Sequence, residues 1–312
     1  MSEQTIERIY QSIDYQRHDD LAEDAAYVVV HGNEVLGSKM VPGLEIKAEQ
    51  LDQGVEIWMR VHEGTQIEKP VHMCFGLMPE TGVQRIVMHV NIEDRAQVAV
   101  LAHCTFPNAK QIEHLMDAEI SVGRNASYSY LERHVHGDSG GTRVVPKAKV
   151  TLHEGARFKT EFELVKGRVG ELDIEYETTC HARSVMEMTA RIKGFGHDRI
   201  RLNEIGHLVG EDARGVLTSH IAVRDNARAE IRNTLTATAA GCRGHVDCKE
   251  IVMDHAVAMA VPVVEVRHPK AHVTHEAAIG SVDSKQLETL MARGLNEDDA
   301  ADLIIDGLLK RP

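Results

Sequence analysis

The 312-residue chain carries 35 basic and 48 acidic side chains, a formal charge of −13, and such a balance repels phosphate backbones and anionic lipid, making nucleic acid and membrane surfaces poor partners. Hydrophobic residues make up 43% but aromatic ones only 4%, so Val, Ile, Leu, Ala and Met must fill any core, and they suit a narrow, layered interior. The length fits two ordinary domains or one large β domain, and no Pro-rich or Gly/Ser-rich linker marks a boundary between residues 30 and 280.

In chain order, residues 1–27 begin with Ile6, Ile9, Tyr10 and Ile13 on one helical stripe, with Glu3 and Glu7 near its positive end. This spacing predicts a short amphipathic N-terminal helix. It contains no apolar leader core, and no run in the chain approaches the ~20 apolar residues of a membrane helix. A cytoplasmic protein is expected. Five cysteines (Cys74, Cys104, Cys180, Cys242, Cys248) are odd in number and scattered, unlike a disulfide framework, so at least one thiol is free.

From Val28 the apolar period switches to two: Val150 and Leu152, then Phe158, Thr160, Phe162 and Leu164, then Ile174 and Tyr176, then Val261 and Val263. These are strands. Between them stand turn alanines at Ala96, Ala126, Ala156, Ala182, Ala213, Ala227, Ala256 and Ala271, spaced by about 30 residues or half of that, the period of a coiling stack of strand–turn–strand rungs. A β-solenoid core over residues 28–282 follows more easily than an up-and-down or jelly-roll β architecture. Residues 283–312 change period again. Asp283 or Ser284 can cap a helix carrying Leu287, Leu290 and Met291 that stops at Arg293-Gly294, and Asn296 caps a second with Ala300, Leu303, Ile304, Gly307 and Leu308 along one face. This hairpin either covers the solenoid end or docks a partner.

Several chemical engines are missing from the sequence. There is no GxxxxGK[ST] phosphate loop, no GxGxxG after a strand, no HExxH and no GxSxG elbow. Any nucleotide energy must come from another subunit. His72 and Cys74 could share a strand face, whereas the neighbours His103-Cys104 and Cys180-His181 point to opposite faces and cannot chelate together. A buried thiol packing as a small hydrophobe is the plainer account of Cys74. Cys242, His245, Cys248, Glu250, His255, His268, His272, His275 and Glu276 supply the ligand types of iron and other borderline metals, at spacings too loose to define a site unaided. Glu161, Glu163, Asp173, Glu175 and Glu177 read as solvated strand faces, against a sugar-cleaving β-helical enzyme.

The stretch from His245 to Leu309 carries an ordered series of elements. A cysteine precedes an apolar strand at Cys248, Pro-Val-Val-Glu-Val runs from Pro262 to Val266, and Ala-x-Val-x-His-Glu-Ala from Ala271 to Ala277. Asp-Ser-x-Gln-Leu follows from Asp283 to Leu287, and Arg-Gly-Leu-x-Glu from Arg293 to Glu297. This series resembles the C-terminal part of the SufB/SufD family of iron–sulfur cluster assembly proteins of the SUF system. The resemblance implies a mainly β protein, a right-handed parallel β-helix flanked by short helical segments. It implies a non-catalytic scaffold that works with an ABC-type ATPase, SufC, to build a transient Fe–S cluster and pass it to apoproteins, with sulfur from a separate donor. Cys248 falls on the family's cluster-linked cysteine, and His275 and Glu276 on its His-Glu pair. The ATPase surface would be the Ser284–Leu309 hairpin, through Leu287, Leu290, Met291, Leu295, Leu303, Ile304 and Leu308. A homodimer is the simplest assembly, a heterodimer with a paralogue the other; a SufD-like subunit that organises the complex without a cluster is the alternative role, and a part for FAD stays open. Because His275 and Glu276 are adjacent on a strand they should face opposite sides, so Cys248 and one of them are expected to converge across a two-fold interface.

Overall fold

The computed structural model describes residues 25–311, and the N-terminal helix expected over residues 1–27 lies outside them except for its last three positions, which lead into the first strand. In order, the strands are β1 (Tyr27–His31), β2 (Glu34–Lys39), β3 (Leu44–Leu51), β4 (Gly54–Val61), β5 (Val71–Gly76), β6 (Thr81–Ile92), β7 (Gln97–Phe106), β8 (Gln111–Val122), β9 (Ser127–His136) and β10 (Thr142–Leu152). They continue as β11 (Arg157–Lys166), β12 (Gly170–Cys180), β13 (Val185–Gly194), β14 (Arg199–Leu208), β15 (Arg214–Val223), β16 (Arg228–Ala237), β17 (Arg243–Val252), β18 (Val257–Val266) and β19 (His272–Gly280). Two helices follow, α1 (Ser284–Met291) and α2 (Glu297–Leu309).

Alternate strands stack into two sheets. One runs β19-β17-β15-β13-β11-β9-β7-β5-β1-β2 and the other β18-β16-β14-β12-β10-β8-β6-β4-β3. Each turn of chain contributes one strand to each sheet, in parallel register, and the product is a β-solenoid of about eight turns. Period-two side chains from both sheets meet between them, from Val28 to Cys248, in one continuous apolar core.

The corners explain the alanine period. At one corner Arg95, Asn125, Gly155, Arg183, Asp212 and Gly241 adopt positive φ, and each is followed by a fully buried small residue: Ala96, Ala126, Ala156, Ser184, Ala213 and Cys242. The carbonyl of each accepts a hydrogen bond from the first strand residue one rung on, as in Ser127 N to Ala96 O at 2.8 Å and Arg243 N to Ala213 O at 3.0 Å. A larger side chain would hold the stacked corners apart. Ala182 is not in this column; the seat belongs to Ser184, two residues later. Ala227 and Ala256 occupy the opposite corner, with Val257 N donating to Ala227 O at 3.0 Å, which accounts for the half-period spacings. Val261 and Val263 do lie on a strand, but their register with Arg232 and Thr234 turns them outward.

The two ends of the coil differ. The β1–β2 and β3–β4 antiparallel hairpins close one end, with charged residues such as Glu45, Lys47 and Glu49 on the edge strand β3. At the other end β18 and β19 each have a single sheet neighbour.

The helices are capped as expected: Asp283 accepts from Gln286 N at 2.7 Å and Asn296 from Asp299 N at 2.8 Å. They do not cover the solenoid end. Instead α2 lies along the outer face of the β19-to-β2 sheet, burying Ala301, Ile305 and Leu309 against Ala222 and Val282, beside Ile251 and Met253. Lys193 reaches Asp302 at 3.2 Å, Arg224 reaches Asp298 at 3.1 Å, and Arg311 reaches Glu161 at 3.2 Å. Glu161 and Glu163 are therefore buried rather than solvated: Arg191 donates to Glu161 at 2.8 Å and Arg133 to Glu163 at 3.1 Å. Among the described residues no helix is long and apolar enough to cross a membrane.

Candidate functional site

Cys248 sits on β17, where alternation turns Val246, Cys248 and Glu250 toward the space between the sheets. It is fully buried, stacked between Ser219 of β15 and Ala277 of β19. Asn233 Nδ2, from the facing sheet, lies 3.6 Å from its Sγ and 3.4 Å from Ser219 Oγ, and Ser219 Oγ donates to Glu250 Oε1 at 3.5 Å. Burial pushes the Cys248 thiol above its ordinary value, with Glu250 adding to the shift and hydrogen bonds from Ser219 and Asn233 opposing it. In this arrangement the sulfur is a protonated thiol, shielded from oxidation, and becomes a nucleophile or ligand only when the rung above it opens or a cation arrives.

A row of buried polar groups leads away from Cys248 through the core. Tyr176, Glu204 and Asn233 are successive neighbours in one sheet, and Tyr176 donates to Glu132 at 3.3 Å. Asn233 Oδ1 faces both Glu204 Oε2 and the Arg232 carbonyl oxygen at 3.3 Å, acceptor against acceptor; with the amide turned over, its nitrogen donates to both and its oxygen takes the place beside Ser219 and Cys248. Burial lifts Glu204 to about 8. The pH dependence follows. Below about 4.5 both folded and unfolded chains hold the Glu204 proton; between 4.5 and 8 only the folded chain does, so its contribution to stability falls as pH rises across that window. Glu204→Gln should therefore match wild type near pH 4.5 and exceed it near pH 8.5, by up to about 5 kcal/mol. Melting temperatures at the two pH values check this; a pH-independent gap would contradict it.

His275 and Glu276 lie on the terminal strand β19. Register places His275 beside Val246 and Glu276 beside Asp247, so His275 shares the interior face with Cys248 while Glu276 turns outward, as alternation requires. Both are exposed, because no further rung covers them. On its own face the chain thus offers Cys248 the exposed His275 and the buried Glu250, two residues along the same strand, and no ligand-type side chain directly beside it on either neighbouring strand. Around this open rung are clustered Val257, Met259, Val263, Val266 and Ile279, each at least 37% exposed.

Among the described residues, no three ligand-type side chains between Cys242 and Glu276 come within chelating distance. Cys242 is a corner residue whose thiol donates to Gly210 O at 3.2 Å. Cys74 is buried against Val29 as a small hydrophobe, and His72 stacks on His103. Cys104 and His103 do face opposite ways, but rung stacking joins Cys104 to other partners: Cys104, His114, Glu132 and His134 each place a ligand atom within 4.8 Å of the others, all four buried. The signal in the sequence was Glu132, His134 and His136 alternating on the inward face of one strand, with His134 a full rung after Cys104.

On the hairpin, Met291 and Leu303 are 41% and 52% exposed, and Leu287, Leu290, Leu295, Ile304 and Leu308 are half-buried. The contact with the solenoid centres on Ala301, Ile305 and Leu309, and Leu287 and Ile304 pack against the same cluster, so these two belong to the gripping face and not to the free one.

A family model described as "SUF system FeS cluster assembly, SufBD core domain" matches residues 79–308. The chain belongs to the SufBD family. It is 37% identical over 282 residues to an iron–sulfur cluster assembly SufBD family protein of Methanocaldococcus jannaschii, covering 90% of this chain and 89% of that one. A SufBD family protein of Pyrococcus horikoshii is 34% identical over 284 residues, 91% of this chain and 86% of the relative. The iron–sulfur cluster assembly protein SufB of Bacillus subtilis is 20% identical over 284 residues, 88% of this chain and 60% of its own length. The SufBD family is one of iron–sulfur cluster assembly, and its core-domain match spans β6 to β19 and the helical hairpin, leaving β1 to β5 outside it.

Proposed function

We propose that this chain is the cluster-holding scaffold of a SUF-type system in the cytoplasm: a non-catalytic homodimer on which a nascent Fe–S cluster is built, with an ABC-type ATPase docked on the C-terminal hairpin, before transfer to apoproteins. The cluster is cargo, assembled from sulfur delivered by a separate donor. The observation that carries this reading is the position of Cys248, one strand below an open, apolar rung whose exposed His275 and Glu276 have no third layer to cover them. A second copy joined at that rung brings its own His275 and Glu276 toward Cys248, so each ligand is contributed twice. Lys193 and Arg224 tie α2 to β13 and to the turn after β15, the sheet neighbour of β17, and movement of a docked ATPase acts through them to uncover the thiol.

The alternative is a SufD-like subunit that organises the complex and holds no cluster. The deep burial and raised pKa of the Cys248 thiol favour it. Anaerobic reconstitution with iron, a sulfur source and the ATPase separates the two. The scaffold reading predicts bound iron and acid-labile sulfide in wild type and their loss, at least tenfold, in Cys248→Ala with ATPase binding kept. Equal loading of the variant would remove Cys248 from the assignment.

A further inference from the structure

We propose that Cys104, His114, Glu132 and His134 bind one divalent ion of the zinc–iron(II) class inside the N-terminal half of the solenoid, at a site separate from Cys248. Cys104 lies on β7, Glu132 and His134 on the next strand of the same sheet, β9, and His114 on β8 of the facing sheet. Register sets Cys104 directly beside His134. The four side chains are each 1% exposed. His134 Nε2 is 2.8 Å from Glu132 Oε1, and Cys104 Sγ is 4.0 Å from the same oxygen. With all four ligand atoms within 4.8 Å of one another, tetrahedral closure around an ion at about 2.0–2.3 Å asks for side-chain adjustments of about 1 Å.

Three independent features point to a cation. First, His114 Nε2 is buried without a hydrogen-bond partner, while its Nδ1 lies 3.1 Å from Gln84 Oε1. That amide oxygen can only accept, so the proton is on Nδ1 and the lone pair on Nε2 is aimed at the cluster, the arrangement that outer partners give a metal-bound imidazole. Second, the four donor atoms face one another inside the core and not solvent, since strand register sets Cys104 beside His134 and each of the four side chains is 1% exposed. Third, the charges balance. A divalent ion held by one thiolate and one carboxylate, with the Cys104 proton and any proton on Glu132 released to solvent, leaves a neutral buried site with no oxidation or reduction. Two imidazoles, a thiolate and a carboxylate are a ligand set for zinc or ferrous iron rather than calcium or magnesium. Phe106, 5.0 Å from His114, and Phe162, 4.8 Å from His134 (ring centroids), wall the site from water, so the ion is taken up as the chain folds.

This site is distinct from the cluster position. Glu132 and Cys248 stand in the same interior column, four strand spacings apart, or about 19 Å. The test uses full-length protein produced anaerobically in media supplemented with zinc or with iron(II), or refolded with cobalt(II), then desalted and analysed by mass-spectrometric metal counting. Wild type and Cys248→Ala should each retain one ion per chain, the zinc and iron arms showing which is held, and the cobalt form should show a thiolate-to-metal charge-transfer band. Cys104→Ser should lose that band, and His134→Ala should retain less than a tenth of the metal. Should either variant fail to fold, the milder His114→Gln, with circular dichroism as the fold control, should lower retention at least tenfold. Absence of stoichiometric metal in wild type on all three ions, or retention unchanged in folded Cys104 or His114 variants, would overturn the proposal, and neither outcome bears on cluster loading at Cys248.

Discussion

Met291→Asp combined with Leu303→Asp should abolish co-purification of the ATPase, weakening binding by at least a hundredfold, while shifting the melting temperature by no more than about 2 °C. Both residues are among the most exposed large apolar side chains of the molecule and make no contribution to the cluster that fixes the hairpin, so a buried carboxylate in the complex is the only new cost. The contrasting variant is Ile305→Asp, which places a charge against Ala222 and Val282 and should cost about 3–5 kcal/mol, releasing α2 and with it Arg311 from Glu161 and Glu163. Removing residues 284–312 would combine both effects. Pull-down with tagged ATPase, alongside thermal melts, separates them; full binding by the double variant would move the ATPase surface elsewhere.

Met259→Lys with Val263→Lys should turn the proposed dimer into a monomer and take cluster loading down with it, to less than a tenth of wild type. These side chains stand on the outer face of β18, an edge strand with an unpaired backbone row and an apolar surface, a combination that natural sheets protect when it is not an interface. At the opposite end the chain spends two antiparallel hairpins and a charged edge on such protection, so the contrast is internal to the molecule. Lysines on one face of an edge strand leave the interior column untouched, and circular dichroism should be unchanged. Sedimentation analysis checks the mass; a variant that remains dimeric would place the two-fold contact at another surface.

The solenoid was legible because its corners demand a small buried residue once per rung, and a linear sequence displays that demand as a period. Where the corner is filled by serine or cysteine, as at Ser184 and Cys242, an alanine period passes over it, and Ala182 carries the spacing while Ser184, two residues on, holds the seat. Which face of a strand points inward at the last rung was less legible: Val261 and Val263 have the alternation of core residues, yet the interior seats of β18 are the less conspicuous Ala258, Ala260, Pro262 and Val264. Glu161 and Glu163 look solvated until a helix 140 residues later in the chain lays Arg311 over them. Opposite faces for His275 and Glu276 followed from strand geometry alone. The Cys104 group did not, because its members come from both sheets and meet only after three strands have stacked.

The central claim, that Cys248 of one copy works with His275 or Glu276 of another, is tested most directly by complementation. Cys248→Ala and a His275→Ala, Glu276→Ala double variant are each reconstituted alone and then after co-refolding at equal concentration, with iron and acid-labile sulfide counted per chain. A shared site predicts negligible loading for either alone and recovery in the mixture, up to one cluster site per mixed dimer, since the double variant supplies the thiol and the Cys248→Ala chain its partners. No recovery in a mixture shown to contain mixed dimers would contradict a site built between two copies.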